Sequence, residues 1–224
     1  MQIIETLGII FLIVTSHGQM ENGKATGLWL EEFAVPYEIF VDAGYTVYVL
    51  SPEGGEAPID PRSLPETPTE QEQKAIEQLK HTLALKDYHG VPPDALFFAG
   101  GHGTMFDFPT DPTVQEWIKG ALAQELPLAL VCHGPAALVG ATNAEGESFI
   151  KGKKVTGFSN AEEEAVNLTE EMPFLLETKL KELGATYSSA ENFTPYVVVD
   201  GFLITGQNPP SSAAVATELI RLLK

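Results

Sequence analysis

The chain has 224 residues and a net charge of -18, from 13 basic and 31 acidic side chains. So large an acidic excess repels phosphate backbones and anionic lipid, which excludes nucleic acid and membrane surfaces as partners. Hydrophobic residues at 44% against 20% charged supply a core, the length suits one α/β domain over 1–224, and a lone cysteine cannot form an internal disulfide, which points to a reducing, cytoplasmic compartment.

The first apolar run, Leu7–Val14, follows Met1–Thr6, which contains a Glu and neither Lys nor Arg. That is a poor signal peptide and too short a run for a membrane span, so Gly8–Thr15 reads as a buried strand of a parallel sheet. A polar loop, Ser16–Thr26, leads to apolar residues at helical spacing from Gly27 to Ala43, with Gly44 as the stop. Thr46–Leu50 is predicted as a strand, Ser51–Thr69 as an irregular excursion dense in Pro, Gly and Glu, and Glu70–Leu85 as a helix. A buried strand at Ala95–Ala99 ends in Gly100-Gly101-His102-Gly103. Asp111–Gln124 follows as a helix whose Asp-Pro start suits a cap and first turn. Leu126–Val131 is a further strand with Cys132 at its end. Lys154–Phe158 and Tyr196–Val199 are predicted strands, Asp200-Gly201 a hairpin turn into Phe202–Thr205, and Pro209–Leu223 a closing helix. Alternating strands and helices argue for an α/β fold with a mostly parallel sheet sandwiched between helices.

Chemistry concentrates at Val131-Cys132-His133-Gly134-Pro135-Ala136. A strand running into a sharp turn exposes a nucleophile above the sheet, and Gly134 is the small residue such a turn needs. A helix starting there is expected to lower the thiol pKa and to offer amides to an oxyanion. The bland alternative is an inert core cysteine. His133 is placed to take the thiol proton only if the turn is strained. Glu31 and Glu32 fit the first turn of a helix for structural reasons alone, and Glu162-Glu163-Glu164 fits a solvated face, so periodicity does not select an acid. Gly100–Gly103 lacks the features of a phosphate loop and suits an amide-lined anion pocket. The histidines, His17, His81, His89, His102 and His133, show no paired metal-ligand spacing, and no metal or cofactor is assigned.

Three ordered segments, Thr26-Gly-Leu-Trp-Leu-Glu-Glu-Phe-Ala-Val-Pro36, Gly100-Gly-His-Gly-Thr-Met-Phe-Asp107 and Val131-Cys-His-Gly-Pro-Ala136, together resemble the PfpI superfamily. Within it they are similar to the heat-shock chaperone and glutathione-independent glyoxalase branch, relatives of the Parkinsonism-associated deglycase. The resemblance runs from Thr15-Ser16-His17 to Gly206-Gln-Asn-Pro209. It implies a flavodoxin-like sandwich, usually dimeric, with Cys132 as nucleophile and His133 in the triad. The acid four residues before Pro36 is Glu32 rather than Glu31. The triad's acid, in Gly157-Phe158-Ser159-Asn160-Ala161-Glu162-Glu163, is best matched by Glu163, with Glu162 and Glu164 as neighbouring registers. Gly101 and the backbone of His133 match the oxyanion-binding positions. No ammonia-channel partner domain is present, against a glutaminase. The activity implied is conversion of methylglyoxal, a small reactive aldehyde, to lactate through a cysteine hemithioacetal, with protein deglycation using the same residues. A stress-response holdase and a cysteine peptidase or amidase are the competing readings.

Overall fold

The computed structural model describes residues 6–143 and 145–224. The reading of Met1–Thr6 as a poor signal peptide therefore lies, but for Thr6, outside the described residues. The main sheet has seven strands: β1 (Ile9–Ile13), β2 (Thr46–Ser51), β3 (Leu83–Ala84), β4 (Ala95–Phe98), β5 (Leu128–Val131), β8 (Val197–Asp200) and β9 (Leu203–Gly206), in the order β3-β2-β1-β4-β5-β9-β8. A separate two-stranded sheet pairs β6 (Lys154–Val155) with β7 (Thr186–Tyr187). These strands all pair in parallel except β8 with β9, where the hairpin turns at Asp200-Gly201 and Gly201 takes φ +64°. In register, Ile10 opposes both Val47 and Ala95, and Leu128 opposes Leu96 and Leu203.

Side chains on successive strand positions alternate faces, and here both faces are covered. Ile10, Leu12, Phe97, Ala129 and Val131 pack against α1 (Leu30–Asp42), α2 (Glu70–Leu79) and α7 (Ser212–Leu223), through Phe33, Phe40, Leu79, Val215 and Leu219. Phe11, Ile13, Leu96, Phe98, Leu128 and Leu130 pack against α4 (Pro112–Ala123) and α6 (Leu176–Glu182), through Val114, Ile118, Leu176 and Leu180. The remaining helices are short: α3 (Thr104–Asp107) and α5 (Asn160–Ala165). This is the flavodoxin-like α/β sandwich expected from the alternating pattern. At α4, Asp111 Oδ1 accepts from the Thr113 and Val114 amides and Pro112 opens the first turn, as its Asp-Pro start predicts.

Several boundaries differ from the sequence expectation, each for a tertiary reason. The helix expected over 27–43 starts at Leu30, because Leu28 is drawn into a bridge with Ile59 of the excursion. The helix expected over Glu70–Leu85 stops at Leu79. Thr82 exchanges backbone hydrogen bonds with Gly55, and Leu83–Ala84 then pairs with β2 as an edge strand. The strand expected over Lys154–Phe158 covers only Lys154–Val155 and lies outside the main sheet, since Thr156–Phe158 is diverted toward Cys132, whose carbonyl accepts from the Phe158 amide at 2.8 Å. At the C-terminus, Pro209–Ser211 forms a 3-10 turn before α7 begins. Among the described residues no helix is long and apolar enough to cross a membrane.

Candidate active site

The chain changes direction between β1 and β4: the connection after β1 leads outward to β2, and the one after β4 leads the other way to β5. In open parallel sheets the carboxyl ends of strands beside such a switch form the natural binding crevice. Gly100–Gly103 follows β4 there, and Cys132 follows β5.

Cys132 sits at φ +59°, a conformation that costs a non-glycine residue energy and persists only when its surroundings enforce it. Its amide donates to Gly206 O at 2.9 Å and its carbonyl is held by Phe158, so both neighbours fix the turn. The same strain lets adjacent side chains converge: Cys132 Sγ lies 3.3 Å from His133 Nδ1. His133 Nε2 donates to Glu163 Oε2 at 2.7 Å. Both His133 and Glu163 are buried, and His133 packs against the rings of His102 and Phe158, at 4.2 and 4.5 Å between centroids.

The acidic run resolves by burial. Glu162 is fully buried and structural, accepting from Ser159 N and Oγ, Phe193 N, Gln207 Nε2 and Asn208 Nδ2. Glu163 faces the histidines, and Glu164 faces solvent. A solvated face is therefore correct for Glu164 alone. Burial acts to raise the Glu163 pKa, but the charge of His133 and hydrogen bonds from both imidazoles outweigh it and hold the carboxyl well below its usual range. Removing the Glu162 acceptor should strand its donors. Glu162→Ala is expected to cost on the order of 3 kcal/mol, lowering Tm by roughly 6–12 °C, while Glu164→Ala moves it by about 2 °C or less. Thermal unfolding followed by circular dichroism checks this.

Glu32, on the first turn of α1, is fully buried while Glu31 is exposed. Trp29 N donates to Gly100 O at 3.1 Å, which pins the start of this helix against the β4 loop. A Cβ on Gly100 would collide with the Glu32 carboxyl and approach His133 N at 2.8 Å, so only glycine lets the acid, the loop and the turn after β5 meet. Neither Glu32 oxygen has a hydrogen-bond partner of good geometry, although the Cys132 thiol and the Gly100 amide lie close enough to draw its pKa partly back. Burial nevertheless pushes the Glu32 carboxyl well up.

The expected depression of the Cys132 pKa is not found. The segment after His133 is a 3-10 turn, Gly134–Leu138, too short to act as a helix dipole, and burial together with the charge of Glu32 pushes the thiol well up. Thiol and carboxyl are each pushed up by burial and each acts on the other, so their titrations are coupled. With the proton on Glu32, its repulsion of a thiolate is removed, and His133 Nδ1 is the base within reach of Sγ.

Above the cysteine lies a pocket of about 230 Å³ walled by Trp29, Phe158, Val166, Phe193 and Pro209, with Gly101 at its edge and Arg62 as its cation. Gly101 takes φ +104°, and a side chain there would strike the backbone of Gly27–Trp29. A larger groove of about 340 Å³, between Tyr88 and Trp117 near the amino ends of β4 and β5, contains none of these groups. Sequence reasoning missed His102 and Arg62. The glycine-flanked His102 at a strand end was a usable signal, whereas Arg62 in the irregular excursion gave none. His102, His133 and Glu163 also place ligand atoms within 4.8 Å of one another, the donor set of a divalent metal, although in the sequence these residues carry no ligand spacing.

Residues 24–222 match the model of the DJ-1/PfpI family. The chain is 32% identical over 223 residues to the glutathione-independent glyoxalase hsp3101 of Schizosaccharomyces pombe, covering 90% of this chain and 89% of the relative. The crystal structure of glyoxalase III from Candida albicans superposes with a TM-score of 0.87 at 28% identity, covering 97% of this chain and 98% of that one. That of the Rapid Encystment Protein 24 kDa of Francisella tularensis gives 0.91 at 37% identity, covering 96% and 99%. With its elbow cysteine, its glycine-rich loop and its buried helix-borne acid lying inside the matched span, the chain belongs to the DJ-1/PfpI family.

Proposed function

We propose that this chain converts methylglyoxal to lactate without glutathione. The observation that carries the reading is Glu32, a fully buried carboxyl whose oxygens have no hydrogen-bond partner of good geometry and which adjoins Cys132 beneath a small apolar pocket. A buried acid in that state has a proton to exchange and needs a substrate to receive it. The names of two relatives, glutathione-independent glyoxalase and glyoxalase III, support the same class.

In this reading His133 takes the thiol proton, held in orientation by Glu163, and the thiolate adds to the aldehyde carbon to form a hemithioacetal. The backbone amides of Gly101 and His133 bind the oxygen that becomes negative. Glu32 gives its proton to that oxygen, closing the hemithioacetal, and the carboxylate so formed removes the proton from the same carbon and returns it to the neighbouring carbon, through an enediol, leaving a lactoyl thioester. Water then cleaves the C–S bond, and lactate leaves as Cys132 regains its proton. Methylglyoxal and water are consumed, lactate and a proton are produced, and no redox partner or cofactor is needed. A pocket of about 230 Å³ favours a small aldehyde over the extended peptide a peptidase must hold, and aldehyde adducts on protein side chains would meet the same residues. The enzyme is proposed to act as a cytoplasmic homodimer of one-domain subunits, in keeping with its lone cysteine and the family resemblance; light scattering in solution checks the assembly.

The test is proton NMR of methylglyoxal incubated with the protein in glutathione-free buffer. Lactate should accumulate in proportion to enzyme, and its absence would overturn the assignment.

A further inference from the structure

The hydrogen-bond line through Glu163 does not end at His133. Glu163 Oε1 faces His102 Nε2 at 2.8 Å, and His102 Nδ1 faces Arg62 Nη2 at 3.1 Å. Arginine only donates, so Nδ1 must present its lone pair, and the proton of a neutral imidazole then sits on Nε2, aimed at the carboxylate. His102 is buried, with a donor facing Nδ1 and a carboxylate facing Nε2, a pair of contacts that the neutral ring satisfies. Arg62 is itself fixed: its Nε donates to Asp60 Oδ1 at 2.9 Å, its Nη2 donates to Asp60 Oδ2, and Asp60 also accepts from Thr26 Oγ1 at 3.0 Å.

We propose that His102 is a positioning residue for Glu163, and that Arg62 serves by holding His102 in the tautomer that donates to it. A carboxylate gripped at both oxygens cannot rotate, so His133 keeps its Nδ1 on Cys132. Without Arg62, His102 is free to take the other tautomer and turn a lone pair toward Glu163, which loosens the grip. The irregular excursion thereby reaches the cysteine through Asp60, Arg62, His102 and Glu163. This inference rests on Cys132, His133 and Glu163 acting together.

Two variants, to glutamine and to asparagine, separate positioning from packing. In His102→Gln the amide nitrogen falls near the place of Nε2 and still donates to Glu163; in His102→Asn it falls short. His102→Asn should lower kcat roughly 10–100-fold, the range typical when a hydrogen-bond partner supporting a reactive ligand is lost, with KM little changed, and His102→Gln should recover most of it. Arg62→Met should cost less than His102→Asn, and nothing further when added to it, since residues acting through one another are non-additive. The same ranking is expected for the rate of Cys132 alkylation by iodoacetamide, which needs no aldehyde turnover. If wild type makes no lactate but alkylation keeps this ranking, the glyoxalase reading falls and the positioning role stands. Equal loss in Gln and Asn variants, or an Arg62→Met effect that adds to His102→Asn or appears in KM, would overturn the proposal.

Discussion

Cys132→Ala is expected to abolish lactate formation from methylglyoxal, with kcat/KM falling roughly 10⁴- to 10⁶-fold, the cost of removing the covalent nucleophile. The size follows from the site's construction. Cys132 is the chain's only thiol, it is held at φ +59° by hydrogen bonds from both flanking segments, and His133 Nδ1 lies 3.3 Å from its sulfur. Alanine deletes the sulfur and leaves the turn, so folding should be retained. A holdase that binds clients on its surface would be indifferent to the change, and suppression of client aggregation should match wild type. Lactate measured by NMR in the variant at anything near the wild-type rate would refute the covalent route.

Glu32→Gln is the second large effect: turnover should fall roughly 10²- to 10⁴-fold, as when a general acid–base group is lost, while Glu31→Gln changes little. The two residues are neighbours on α1 about 100° apart, and only Glu32 is buried beside Cys132. Glutamine preserves the shape and offers a donor but cannot exchange a proton between carbons. Stability should respond in the opposite direction. The folded pKa of Glu32 is raised, so its protonated form is the one the fold favours: its contribution is fully present below the unfolded pKa near 4.5 and is lost as pH rises toward the folded value. Relative to Glu32→Gln, wild type should therefore lose Tm as pH is raised from about 4.5 toward neutrality. A Tm difference that stays flat with pH, or a crippling Glu31→Gln, would show that the wrong acid has been chosen.

Much of the architecture was legible because it depends on local patterns. Continuous apolar runs at 8–15 and 95–99 specify strands covered on both faces, Asp111-Pro112 specifies a capped start, and a strand running into Cys132-His133-Gly134 specifies a tight turn at the cysteine. Choosing Glu32 over Glu31, and Glu163 over Glu162 and Glu164, took the family register as well, since burial of one neighbour and exposure of the next is not written in either residue. Only the tertiary structure decided the rest. It made Glu162 the acceptor for segments around 193 and 207–208, ended α2 early so that Leu83–Ala84 could close the sheet edge, and placed Arg62 and His102, 40 residues apart, on one line to Glu163. It also reversed the expected thiol pKa, because desolvation and opposing carboxylates depend on what packs around a group and not on its neighbours in the chain.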